Sequence, residues 1–415
     1  DSVLNQTSVI WPLFLAVVAL YVCDDEKRAF PLKVWQKTLL ILLLCALPAA
    51  AQAEQALPVI TITYAAGAPL SHEEAVDAQV TIARDGQEHA FPARLRLNAA
   101  AMDSEERELP QRSLYIEGAD MRFVLYNDGG DALRTKLLST ACSGLVAQCP
   151  VAVPVRTQEP VEVYVNGDYR GLYSRREDIA DAIARFEGLD SAATLNVADV
   201  NTDAFCGDAS GIANALQQLK GLNLSLEADR QTLSTLLDTE SFLNWAAVNA
   251  FFGNLNMKSD VIFYQVENGP IKCAMGDFAY VLMFAAHNPY ASLNTITTDV
   301  VIIIESMLLN QPEYREAFLT KLGALYQALP TQTLQQAVDA ANAQIASALP
   351  RQMERWTAAF IQAMAGKNNY LVTNTQEALL YQQYSIYRLR DKTLVRHPWY
   401  LYDLTQSALD VSDAD

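Results

Sequence analysis

Near Asp178 the chain changes its hydrophobic period, and this switch limits the available folds more than any other feature. From about residue 57 to 178 the apolar runs are short and β-prone: "VITITY", "AQVTIA", "ARLRL", "RSLYIEG" and "MRFVLY", separated by Gly, Asp and Asn. Such runs bounded by turn residues read as strands. Beyond Asp178 apolar residues recur at three- and four-residue spacing, the period of helices. A chain of 415 residues that is half hydrophobic can bury a large core. The expected fold class is α+β, two-lobed, with a β-rich N-terminal lobe before a mainly helical C-terminal lobe. The clearest local signal is "PVEVYVNGDYRGLYSRREDI", residues 160–179. Val161, Val163 and Val165 alternate with Glu162 and Tyr164, and Asn166-Gly167 supplies the two positive-φ positions of a type I′ turn. This hairpin runs into Arg175, Arg176, Glu177 and Asp178, which form either a solvated edge or the wall of a site.

One helical stretch, "DALRTKLLSTAC" (131–142), interrupts the strands. In the second half, "SLEADRQTLSTLLDTESFLNWAAVNAFFGN" reads as helix, N-capped at Ser225 and closed by a glycine. "PEYREAFLTKLGALYQAL" places Pro312 at a first helical position, and "TLQQAVDAANAQIASAL" continues the helical half. Between them a second hairpin, 259–284, turns at Asn268-Gly269. The expected segments are a leader (1–53), a β-rich lobe (54–178), a helical lobe with its inserted hairpin (179–365) and a helical tail (366–415). In that tail Tyr381, Tyr384 and Tyr387 share a helix face. Its mixture of tyrosines and bases reads as packing onto the helical lobe rather than as a nucleic-acid contact.

The leader has its own logic. Lys33 and Lys37 precede "TLLILLLCALPAAAQA", an apolar stretch ending in small residues, the layout of a secretory signal cleaved after Ala53. The upstream run "VIWPLFLAVVALYV" (9–22) is short for a membrane span and reads either as a second membrane segment or as residues outside the mature protein. The expected location is therefore exported (periplasmic, cell surface or secreted), with the membrane touched only through the leader. Four acids and four bases fall in these 53 residues, so their removal leaves the net charge at −18, which argues against a nucleic-acid partner. Cysteine usage fits export: Cys142, Cys149, Cys206 and Cys273 remain beyond the leader. Cys142 and Cys149 either close a small disulfide loop or stay as buried thiols. No CxxC pair exists and the four histidines are scattered, so no zinc site is expected.

Taken in order, several segments resemble the CotH family, spore-coat-H-like proteins with an atypical protein-kinase fold, over roughly residues 56–360. "LPVITITYAAGAPLSHEEAVDAQVTI" resembles the family's opening strands, "LRTKLL" its Arg-Asn-Lys-Leu helix, and residues 160–179 its central hairpin. "LLDTESFLNWAAVNAFFGN" is similar to the helix leading into the active loop. "GDFAY" stands at the Trp-Asp-x-Asp segment, and "QPEYREAFLTKLGAL" at the helix that follows. The resemblance implies ATP and Mg²⁺ as cofactors, with Arg96, Asn98, Lys136 and Glu177 on the nucleotide and Asp277 and Asn254 on the metal. It places Asp277, Asn256 and Asp260 at the catalytic positions. Phosphoryl transfer asks for a cation on the phosphates, carboxylates on Mg²⁺ and a base for the acceptor hydroxyl.

The match is uneven. Asn256 stands where the family's Gly-Asn-x-Asp carries Asp, Val261 where it carries Asn, Ala279 at the second Asp of the metal segment, and Glu117 at a usual lysine. Leu97 and Ala99 replace the glycine and serine of Arg-Gly-Asn-Ser. An amide takes up no proton and an alanine binds no metal, so the expectation is a degenerate member. Glu177 is expected to pair with Lys136 or Arg96, as a phosphate-positioning pair or as an inherited salt bridge. Asp277 and Asp260, the latter on the facing strand, form either a reduced metal site or two solvated acids. Three functions follow: a pseudokinase that binds a secreted or envelope protein; an active ATP- and Mg-dependent kinase for such a protein; a surface protein binding envelope polymer. The oligomeric state is left open.

Overall fold

Seven strands close into a barrel in the order β1-β2-β3-β4-β5-β7-β6. The computed structural model describes residues 56–98, 109–132, 134–282, 297–364 and 373–412. The leader expectation, 1–53, lies outside them, as does Ala99. The strands are β1 (Val59–Tyr64), β2 (Val76–Arg84), β3 (Gln87–Leu97), β4 (Leu114–Gly118), β5 (Arg122–Tyr126), β6 (Gln158–Val165) and β7 (Asp168–Glu177). Neighbours run antiparallel except at the closing seam, where β1 pairs parallel with β6. Every second residue points inward, and those residues are the apolar set: Ile60, Ile62, Val80, Leu95, Ile116, Leu125, Val161 and Val163 are buried in one cluster. The expected hairpin is present, with Asn166 at φ 50° and Gly167 at φ 87° joining β6 to β7. Closure removes the edges that an open sheet would expose.

A first helix, α1 (Leu138–Val146), precedes β6. It starts seven residues later than the sequence pattern suggests. The buried Asp131 carboxylate accepts hydrogen bonds from the backbone N–H of Thr135 (3.0 Å), Leu137 (3.0 Å) and Leu138 (3.1 Å). The chain wraps round this side chain, and Lys136 takes a left-handed φ of 57° that a helix interior excludes. After β7 come α2 (Ile179–Glu187), β8 (Leu195–Asp199), β9 (Ala204–Cys206), α3 (Ser210–Leu219) and α4 (Glu227–Leu236). Then follow α5 (Thr239–Phe252), a single turn α6 (Met257–Asp260), β10 (Val261–Val266) and β11 (Lys272–Met275). The stretch from Ser225 is thus two helices. Leu237 turns extended to bridge Ile271, and the Asp238 side chain caps α5 by accepting from Ser241 N at 2.9 Å. Ser225 caps nothing; its hydroxyl bonds the Asn223 amide oxygen. The second hairpin is shorter than expected, and it belongs to a four-stranded sheet, β11-β10-β8-β9, in which the short β8 and β9 had no clear sequence signal.

The remaining helices are α7 (Val300–Leu309), α8 (Pro312–Ala328), α9 (Thr331–Ile345), α10 (Leu349–Met364), α11 (Thr375–Arg388) and α12 (Leu394–Ser412). Pro312 opens α8 as expected. Pro398 lies inside α12, where it has no N–H for the Leu394 carbonyl; that carbonyl accepts from the Thr331 hydroxyl at 3.4 Å instead. The tail packs on the helical core through Leu389, Leu394, Leu401 and Leu404. Ala56–Asp415 form one compact unit of mixed α+β structure. The disulfide alternative is corrected: all four cysteines are free. Cys142 is buried in the core against which α1 packs, while the Cys149 thiol points to the Val151 carbonyl at 3.2 Å.

Candidate functional site

Several segments of the resemblance meet at a polar seam between the outer face of the barrel and the loops that flank α5 and β11. β5 ends at Tyr126, paired with Ser174 on β7, and Asn127 and Asp128 follow it. The Tyr126 hydroxyl donates to Asp277 Oδ2 at 3.0 Å, and Asp277 Oδ1 accepts from the Ala279 N–H at 2.8 Å. Asp277 is only 4% exposed, and both its oxygens already hold protein donors. The Arg176 guanidinium lies 3.3 Å from the centroid of the Tyr126 ring, a cation–π contact. It also donates to Gln158 Oε1 (3.1 Å) and Ser139 Oγ (3.2 Å), which holds it between barrel and α1.

Beside this lies a buried ion pair. Lys136 Nζ stands 2.8 Å from Asp128 Oδ2, with the side chains 1% and 2% exposed. Lys136 also donates to the Asn127 carbonyl at 3.1 Å, and Ser174 Oγ donates to Asp128 Oδ1 at 2.5 Å. The left-handed turn at Lys136 aims the ammonium into the barrel's rim. A pair sealed in this way survives only because each charge is also hydrogen-bonded.

The loop after α5 makes the other wall. Gly253 ends the helix at φ 58° and sends Asn254 into the interior. Asn254 Nδ2 donates to Asn249 Oδ1 (2.8 Å) and to Asp260 Oδ2 (3.1 Å), while Asn254 Oδ1 accepts from Asn256 N (2.9 Å). Asn256 Nδ2 donates to Asp260 Oδ1 at 3.1 Å, so two amides hold the buried Asp260 carboxylate. Gly276 makes the close approach possible: a Cβ there would lie 2.0 Å from the Asp260 carbonyl oxygen. Asp260 and Asp277 therefore leave adjoining stretches of backbone. Asp260 ends the α6 turn, not the facing strand.

The structure gathers Lys136, Asn254, Asn256, Asp260 and Asp277 along this seam and separates the others. Glu177 meets neither Lys136 nor Arg96, which corrects that expectation. Alternation along β7 turns it away from the seam, and α2 brings Arg185 to it, with Nη2 at 2.8 Å from Oε2. Glu177 also accepts from Thr157 N and Oγ1, both at 3.0 Å. Burial opposes its ionisation, but the Arg185 and Thr157 hydrogen bonds win and hold its pKa below the ordinary value. Arg96 lies on the barrel's outer face over the Tyr115 ring at 4.4 Å, and the Tyr115 hydroxyl donates to Asp178 at 3.2 Å. Burial, then the Asp178 charge, push the Tyr115 phenol up. Asn98 is buried beside its strand partner, its N–H on the Ser113 carbonyl at 3.0 Å. The four charges that end the first hairpin thus part company: Arg175 meets Glu159 (3.3 Å), Arg176 enters the seam, Glu177 meets Arg185, and Asp178 caps α2.

Sequence reasoning missed Tyr126, Asp128, Ser174 and Asn249 as parts of the seam. The one available signal was Gly130: a Cβ there would sit 2.6 Å from the Tyr280 ring, so the "NDGG" turn packs directly on the residues that follow Asp277. Among the described residues no three His, Cys, Asp or Glu side chains are grouped to share a metal ion. Compared with known protein families, residues 103–379 match the family CotH, described as CotH kinase protein. Compared with curated proteins, the chain finds no match.

Proposed function

Since that match spans well over half its length, the chain belongs to the CotH family, and from this premise we propose that it is a kinase-like module with weak or absent phosphotransfer. In this reading it is two-lobed, exported by its leader, and works by binding a protein partner at the cell envelope. The observation that carries the reading is the state of Asp277. Mg²⁺ takes oxygen ligands in near-octahedral geometry, through carboxylates plus substrate phosphates. Here both Asp277 oxygens are engaged, by Tyr126 and by the Ala279 N–H, and both Asp260 oxygens by side-chain amides. Ala279 adds no donor, and Lys136, the cation suited to phosphate, is locked on Asp128. The described residues therefore do not fit a loaded ATP·Mg²⁺ site.

A second reading, an active ATP- and Mg-dependent kinase for a secreted or envelope protein, draws support from one observation. Asp260 and Asp277 leave adjoining backbone at Gly276, where a change in the Tyr126 contact would free a carboxylate. Calorimetry of the chain from Glu54, titrated with ATP with and without Mg²⁺ beside Asp277→Ala, separates the readings. No binding in either protein is expected. Metal-dependent binding that disappears in Asp277→Ala would overturn the pseudokinase reading.

A further inference from the structure

The last helix, α12, is apolar on two opposite faces, and only one of them is covered. Leu394, His397, Leu401 and Leu404 face the helical core and are buried. The docking is anchored at the end of α5: His397 Nε2 lies 2.6 Å from the Phe251 carbonyl oxygen, and the Tyr400 hydroxyl donates to the Ala250 carbonyl at 2.6 Å. On the other side Val395, Trp399 and Tyr402, spaced i, i+4 and i+7, form one stripe and are 51%, 71% and 58% exposed. An aromatic stripe left in water marks an interaction surface.

The charges beside the stripe say what covers it. Arg396 and Asp403 are exposed, seven residues or about two turns apart, and so lie on the same flank of the helix. Trp399 and Tyr400 fall midway between them. A two-fold axis running beside the stripe, perpendicular to the helix at the level of that midpoint, lays a second α12 antiparallel against the first. It sets Trp399 against its own copy and places Arg396 of each chain opposite Asp403 of the other. We propose that this stripe is the interface between two copies of this chain, packed antiparallel about a two-fold axis. An isologous interface demands such self-complementarity, in which residue i meets j and j meets i. A lipid surface is the poorer occupant. An anionic bilayer selects a basic flank, and this one carries Asp403, while the nearby Arg390 is consumed by Asp339 and Asp391 at 2.8 Å each. Trp and Tyr are also the side chains that concentrate binding energy at protein interfaces. The inference does not depend on whether the seam binds nucleotide.

Sedimentation equilibrium of the full chain tests it. The chain is expected to dimerise reversibly, and Trp399→Ala with Tyr402→Ala to raise the dissociation constant at least about tenfold, because the aromatic anchors are gone. Arg396→Asp and Asp403→Arg, each alone, weaken the dimer, since each sets like charges opposite one another. Combined in one chain they restore it, because the swapped charges meet again across the axis. Three results would overturn the proposal. One is a chain monomeric at every concentration; another is a dimer indifferent to the stripe or not rescued by the double swap. The third is a monomer that floats with anionic phospholipid vesicles and loses them on Trp399→Ala.

Discussion

The barrel interior and the seam on its outer face are equally dry, yet they are built from opposite materials. Ile62, Leu95 and Val163 fill one with side chains that need only shape and volume. Asp128, Lys136, Arg176, Asp260 and Asp277 fill the other with groups that each need a named partner. An apolar interior tolerates exchange of one aliphatic side chain for another of like volume, whereas a buried polar network fails when one member goes. The comparison teaches where this fold is fragile. The seam is held by the buried ion pair Lys136–Asp128 and by neutral hydrogen-bond partners for its other charges.

The largest expected effect breaks the polar side of the comparison. Lys136→Ala strands Asp128 in the interior, and a loss of about 3–5 kcal/mol is expected from removing one member of a buried pair. Urea unfolding measures it. Lys136→Met with Asp128→Leu should recover most of that loss, because no charge is left unpaired; a double variant as unstable as the single one would show that the pair itself carries the stability. Next is the apolar side. Leu95→Ala removes a fully buried barrel side chain and is expected to cost about 3 kcal/mol through lost burial and the cavity left. A loss well under that of Lys136→Ala would sharpen the contrast, and a larger one would reverse it.

How far each region was legible follows from the same physics. The first hairpin could be read because alternation at Val161, Val163 and Val165 and the Asn166-Gly167 turn are local signals, complete within 20 residues. The parallel pairing of β1 with β6 that closes the barrel joins strands about 100 residues apart and leaves no local mark. The seam is worse. Buried Asp128, Ser174 and Asn249 look like surface residues in sequence, because burial of a polar group depends on a partner elsewhere. Tyr126 and Asp277, for instance, are 151 positions apart. The family resemblance pointed to Lys136, Asn254, Asp260 and Asp277, but not to the groups that bond them: Asp128 as acceptor for Lys136, and Tyr126 and the Ala279 N–H as donors to Asp277. It also paired Glu177 wrongly, since Arg185 reaches it only once α2 has formed.

Tyr126→Phe probes what those donors do. It removes a single hydroxyl from Asp277 at 3.0 Å and keeps the ring beneath Arg176. A loss of about 1–3 kcal/mol is expected, the cost of leaving a buried carboxylate oxygen short of a partner. The same variant should gain Mg²⁺ affinity in calorimetry relative to the parent chain, because a carboxylate oxygen is freed. Unchanged stability would show that the contact is not made in solution.

Two smaller effects depend on pH. His397 is buried against the Phe251 carbonyl, and burial pushes its pKa below the ordinary 6.5. The unfolded chain therefore takes up the proton first as the solution is acidified. Its contribution is whole above 6.5 and shrinks as the pH falls from there, and His397→Gln should flatten that part of a stability–pH curve. Glu177 acts lower and more weakly. Its carboxylate is held below the ordinary 4.5, despite burial, by Arg185 and Thr157. Between the folded and unfolded values the unfolded state binds the extra proton, so stability is complete above 4.5 and is lost as the pH falls through the folded value. Arg185 is half exposed, and solvent screens the pair, which makes this the smallest of the five effects. Thermal melts of Glu177→Gln should lie below the parent chain at every pH above 4.5 and converge on it only as the pH falls through the folded value. A variant equally displaced at every pH would mean that Glu177 acts through packing and not through its charge.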